Sequence, residues 1–246
     1  MTPATPRPLS PASRLSAVLA VLVLLAPVAS PARADAGGDP DRWLEERIER
    51  AERAVDDEPT FEHRLLLAKL LHLKGSHGNK GAAKRSDRMF QALREDHGDD
   101  PRVLAYAGSA MMLRAKRAWL PWKKGALVED GGELITRAMA LAERTPEADE
   151  TEVRFVRAVS VANLPGWMEQ EAVAKRDFEA LAASAEQAVR DGRLSQYQAA
   201  SALVHRAGYL ADADREAEAR ELYRRAIELS PKSHAAAAAR EALEDL

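Results

Sequence analysis

Five cations and two indole rings share a stretch of eleven residues: Arg114, Lys116, Arg117, Trp119, Trp122, Lys123 and Lys124. A guanidinium or ammonium beside an aromatic face suits an acidic peptide, or an anionic and partly apolar ligand. Such a ligand is held by charge-assisted hydrogen bonds and cation–π contact. Arg154 and Arg157, one helical turn apart, are expected to face the same groove. The stretch also has a purely structural reading. Pro121 can stop a helix, with a Trp beside it covering the exposed end of a core. Cations at a helix C-terminus also complement the macrodipole. The pattern occurs twice, as Leu120-Pro121-Trp122 and as Leu164-Pro165-Gly166-Trp167, 44 residues apart.

Other chemistry is sparse. With no cysteine, thiol catalysis, cysteine zinc sites and iron–sulfur ligation are excluded. The six histidines are His63, His72, His77, His97, His205 and His234. None makes the His-Glu-x-x-His pattern of a zinc protease, and none follows a Glu by three positions as di-iron bundles require. His72 and His77 flank a turn and read as turn histidines rather than a metal pair. No phosphate-cradling glycine loop, nucleophile elbow or calcium loop occurs. Glu45-Glu46 and Glu216 to Glu221 read as solvated helix faces. The expectation is therefore no catalytic residue, no metal and no cofactor.

These residues must be carried by helices. Ala, Leu, Glu and Arg dominate the chain, all good helix formers, and no alternating run of Val, Ile or Thr makes a strand. The first 34 residues stand apart. Arg7 and Arg14 precede an apolar run from Leu15 to Val28, and Ala32-Arg33-Ala34 offers small residues for cleavage. This reads as a secretory signal peptide over 1–34; a membrane anchor needs about 20 apolar residues, more than this run has. A linker at 35–40 and one α-helical domain over 41–246 follow. Removing the leader takes away three arginines and no acid, so 36 basic against 39 acidic residues become 33 against 39, a formal charge of −6. An exported acidic chain is a poor nucleic-acid binder, and its destination is periplasmic or extracellular.

Helical stripes can be followed along the domain. Leu44, Ile48, Ala51 and Val55 mark the first helix. The second, about 60–74, is apolar over most of its girth, which predicts burial on two sides. Leu104, Ala107, Gly108, Met111 and Ala115 mark a helix over about 102–118, with Gly108 placed for close approach of a partner helix. Trp119 to Gly125 reads as an irregular loop, and the next helix carries Gly131, Leu134, Ile135 and Ala138. Met168 to Arg190 reads as one long helix. The C-terminal helix, 234–246, reads as a solvating cap. One internal echo aligns Ile135, Ala138 and Leu141 with Tyr223, Ala226 and Leu229.

Residues 200–231 resemble a tetratricopeptide repeat. Leu203, Ala207 and Leu210 mark its first helix, Ala219, Tyr223 and Ala226 its second, and Pro231 ends it. Leu203 stands where that family usually has an aromatic residue, and Arg206 where Leu is common. Ala107-Gly108-Ser109 in a helix, then Pro121-Trp122-Lys123, then a helix with Arg154 and Arg157 ending in Leu164-Pro165 follow in that order, and with them residues 100–167 also resemble a group of bacterial exported repeat proteins of unknown function. The first resemblance implies an all-α, right-handed solenoid of about four stacked hairpins, since such units bury their apolar faces only on their neighbours. On that pattern the 23 positions from Gly108 to Gly131 predict a connection about 11 residues longer than in a standard 34-residue repeat. Long loops in such stacks are often functional. The resemblance implies an exported scaffold that binds a protein or peptide partner. The alternative is a component of a transport system that binds a small anionic or lipid-like ligand.

Overall fold

A short polar side chain caps six of the eleven described helices and proline starts three, and those boundaries set the architecture. In the computed structural model, residues 38–145, 150–164, 168 and 170–246 are described. The leader expected over 1–34, and Pro165, Gly166 and Trp167 of the second Leu-Pro motif, lie outside these residues. Eleven helices occur among the described residues, with no strand. They are α1 Pro40–Asp57, α2 Phe61–Ser76, α3 Lys80–Asp96, α4 Pro101–Ala115, α5 Pro121–Ala142 and α6 Glu150–Ala162. They continue as α7 Glu171–Ala183, α8 Ala185–Arg190, α9 Gln196–Ala211, α10 Glu216–Leu229 and α11 His234–Asp245. No helix among the described residues is long and apolar enough to cross a membrane.

Side-chain oxygens of Asp39, Thr60, Asn79, Asp100, Ser195 and Ser233 accept the free amides of the helices they precede. Each cap satisfies donors that would otherwise have no partner. Pro40 and Pro101 sit in the first turn, where a missing N–H costs nothing. The α5 start differs. Pro121 opens it too, but its cap residue is Leu120, which offers no side-chain acceptor.

Consecutive helices pack against one another, the closest pairs being α4 with α5, α9 with α10, α2 with α3 and α6 with α7. Glycine and alanine make the first of these possible. A Cβ on Gly108 would lie 2.4 Å from the Gly131 carbonyl oxygen, so the α4 and α5 backbones touch there. The expectation placed on Gly108 is met. The two-sided burial expected of the second helix is also found: Leu65 and Ala68 join the main core, while Leu67 and Leu71 join a smaller core with Leu44 and Ile48. The echo holds in burial as well, with Ile135 and Ala138 matched by Tyr223 and Ala226, all buried.

Three local expectations are corrected. The segment from Trp119 to Gly125 is not a loop, because Pro121 starts α5 rather than only ending α4. The residues from Pro121 onward form helical turns, and α5 reaches 22 residues. The long helix expected over 168–190 breaks at Ser184 (φ −119°, ψ 14°), whose hydroxyl turns back onto the Ala180 carbonyl. The last helix is more than a solvating cap. Ala235, Ala236 and Ala239 are buried, and α11 packs on α10, α9 and α1. His234 stacks on His77 with ring centroids 4.0 Å apart, and its Nε2 lies 3.0 Å from Asp41.

Candidate functional site

The basic cluster divides once its partners are traced. Arg154 and Arg157 project from α6 onto Asp177 of α7, whose side chain is wholly buried. Arg157 donates through Nε at 2.7 Å and Nη2 at 2.8 Å, and Arg154 donates through Nη1 at 3.3 Å. Arg154 also donates to Glu150 at 2.5 Å. Neither guanidinium is left as an uncommitted charge. They neutralise a carboxylate that the interior could not otherwise hold. Burial opposes the Arg154 charge, but Glu150 and Asp177 outweigh it and raise its pKa.

At the end of α4 the cations are also engaged. Arg114 pairs with Asp87 at 3.4 Å, Arg117 donates to the Gly75 carbonyl at 2.9 Å, and Lys116 donates to the Asn163 side chain at 2.8 Å. Arg117 thereby joins the ends of α4 and α2. Desolvation, then Arg117, lowers the Lys116 pKa.

What remains is one compact feature. Trp119 is 93% exposed and Trp122 is 69% exposed. Lys123 and Lys124 follow in the first turn of α5, exposed and without a carboxylate partner among the described residues. Cations are disfavoured at that pole of a helix, and no acidic residue stands there to offset them. The two rings do not cover the end of the core, so the structural reading of the first Leu-Pro-Trp motif fails at these positions. Its second copy cannot be compared, since Trp167 lies outside the described residues.

Beside this face lies a half-open cleft of about 910 Å³, bounded by α4, α5 and α6 with the ends of α2 and α7. Its walls are mostly apolar and include Met112, Leu113, Val128, Ile135, Val159 and Val161. Lys116, Lys124 and Arg157 also line it, and Glu129 is the one carboxylate among its described lining residues. A short polar chain adjoins the walls: Ser160 donates to Ser109 at 3.0 Å, and Ser109 lies 3.0 Å from Nε2 of His72. Burial, then Lys116, lowers the His72 pKa to about 4, so the ring is neutral near neutral pH. His72 Nδ1 is buried with no partner among the described residues. A Ser–His pair without an acceptor to orient the imidazole lacks the third member of a nucleophilic triad.

His72 and His77 do not meet: the first faces Ser109 and the second stacks on His234. No cluster of three or more His, Asp or Glu able to hold a metal occurs among the described residues. A second polar node escaped the sequence reading. Glu152 of α6 accepts from Lys69 of α2 at 2.7 Å, Tyr106 of α4 at 3.1 Å and Gln198 of α9 at 2.8 Å. It ties four helices together around one carboxylate. The other missed residue, Asp177, had a visible signal, since it sits in the apolar stripe of Ala174, Phe178 and Leu181. An acid in such a stripe implies a buried cation partner.

Compared with protein-family models, with curated proteins and with solved structures, the chain matches none.

Proposed function

We propose that the protein is an exported binding scaffold, and that the Trp119–Trp122–Lys123–Lys124 face holds a protein or peptide partner in the cell envelope. The observation that carries this is the pair of exposed indoles beside two lysines that have no carboxylate partner among the described residues. Exposed tryptophans are uncommon on a free surface and are enriched at the centres of interfaces. Lysines at the wrong pole of a helix supply charge for an acidic partner segment. On this reading α2/α3, α4/α5, α6/α7 and α9/α10 are hairpins of a tetratricopeptide-like solenoid. The sequential packing and the matched burial of Ile135/Ala138 with Tyr223/Ala226 support that arrangement. Arg154 and Arg157 serve it as braces between helices rather than as contacts.

The test is capture of the partner from envelope fractions by the intact protein, by K123E/K124E and by W119A/W122A. A partner held by the intact protein and released by both variants supports the reading. A partner held equally by all three places the interface elsewhere. The cleft favours a second reading, a small anionic or lipid-like ligand handled by a transport system.

A further inference from the structure

The cleft beside the tryptophan face has the volume and lining of a ligand site. Small-molecule sites enclose roughly 300–1,000 Å³ behind mostly apolar walls, with a few polar groups that fix orientation; this one measures about 910 Å³. Among its described lining residues, Lys116, Lys124 and Arg157 stand against Glu129 alone, and Arg157 is already matched by Asp177. Lys116 sits at the C-terminal cap of α4, where the helix itself favours a cation. Lys124 has no such explanation. It stands in the first turn of α5, a 22-residue helix whose cap residue supplies no side-chain acceptor and whose first turn holds no acid. Free amides, helix dipole and ammonium therefore point the same way, toward an anion.

His72 and Ser109 also line the cleft, with Nε2 and the hydroxyl 3.0 Å apart, and add a polar pair to its walls.

We propose that this cleft binds a single-chain amphiphile with an anionic head group, its head at Lys124 and the α5 N-terminus, its chain along Met112, Val128, Ile135 and Val159. The proposal deepens the small-ligand reading and is independent of whether the tryptophan face holds a protein. Linear carboxylates match the lining better than compact anions, because the cleft offers far more apolar than polar surface.

The experiment is isothermal titration of the protein with octanoate, decanoate and dodecanoate below their micelle concentrations, with dodecanol as the uncharged control. Affinity is expected to rise about fourfold per added methylene, the value of burying one CH₂, and dodecanol is expected to bind at least about tenfold more weakly than dodecanoate. Two variants separate head from chain. K124E should weaken dodecanoate at least about tenfold and leave dodecanol unchanged. G132L should weaken both, because Gly132 lines the cleft and its Cβ would meet nothing closer than the Met112 methyl at 3.6 Å, so the helix accepts the side chain. Circular dichroism of both variants should match the parent. Absence of saturable dodecanoate binding, affinity independent of chain length, or dodecanoate binding unchanged in K124E and G132L overturns the proposal. Partner capture is read separately with W119A/W122A, which leaves Lys124 in place, so failure of one site is not failure of the other.

Discussion

Substituting Gly108 by Ala tests the packing on which the cleft depends. Alanine is the better helix former by up to about 1 kcal/mol, so an exposed position would gain. Here the new Cβ would lie 2.4 Å from the Gly131 carbonyl oxygen, 2.9 Å from Ile135 Cγ1 and 3.2 Å from Leu134 Cβ. The nearest atom belongs to helical backbone and cannot rotate away, so α4 and α5 must separate and loosen their contacts along the cleft. Overpacking of this kind costs about 1–3 kcal/mol, and the close backbone contact places it near the top of that range. Offset by the helix gain, the net loss is about 2 kcal/mol. For a chain of this size that lowers Tm by about 4–8 °C. Gly125 is the control, since a Cβ there meets nothing within 4 Å; G125A should raise Tm by about 2–4 °C. Thermal melts followed by far-ultraviolet circular dichroism give both numbers. If the two alanines move Tm in the same direction, the close approach of α4 and α5 is wrong.

Two further outcomes follow from the buried charges and rings. Asp177→Asn should destabilise by about 3–5 kcal/mol, measured by urea denaturation, because it leaves Arg154 and Arg157 facing a neutral amide in place of a wholly buried carboxylate. A loss under about 1 kcal/mol, the range of exposed pairs, would mean the pair is effectively solvated. His205 stacks on Phe178 at 4.5 Å and burial lowers its pKa to about 4. Its folded value lies below the unfolded one, so the neutral form is favoured on folding. Its contribution is therefore full above the unfolded pKa and is lost as pH falls from about 6.5 toward 4. From pH 7 to pH 5 this group alone should remove about 2 kcal/mol. His205→Phe keeps the stack and should flatten that acid limb by the same amount; an unchanged limb would assign the loss to other groups.

The helices were legible wherever an apolar stripe met a cap. Leu44, Ile48 and Ala51 after Asp39 and Pro40 left little choice, and Gly108 showed its purpose because a glycine inside a helix is costly unless something must come close. Pro121 was misread for a physical reason: a proline that ends one helix serves equally well as the first residue of the next. Lys123 and Lys124 thereby moved from a loop to a helix pole, which sharpened their electrostatic meaning. The partners of Asp177 and Glu152 were beyond reach in detail. Glu152 gathers Lys69, Tyr106 and Gln198 from positions up to 83 residues away in sequence. Spacing on one helix carries no information about such partners. Only the apolar stripe around Asp177 gave a local sign. The contact of α11 with α1, through His234 and Asp41, likewise depends on how the intervening helices turn, which no local pattern encodes.

On the proposed function, the Trp119–Lys124 face is a binding surface. The measurement that bears on it most directly is crosslinked capture from native envelope with intact protein, K123E/K124E and W119A/W122A as parallel baits. All three should keep the same helical content and nearly the same Tm, since exposed charges contribute little. One protein should be captured by the intact bait, lost from both variants, and bound again by the intact bait when purified. The same protein captured equally by all three baits, or none captured by any, would contradict it.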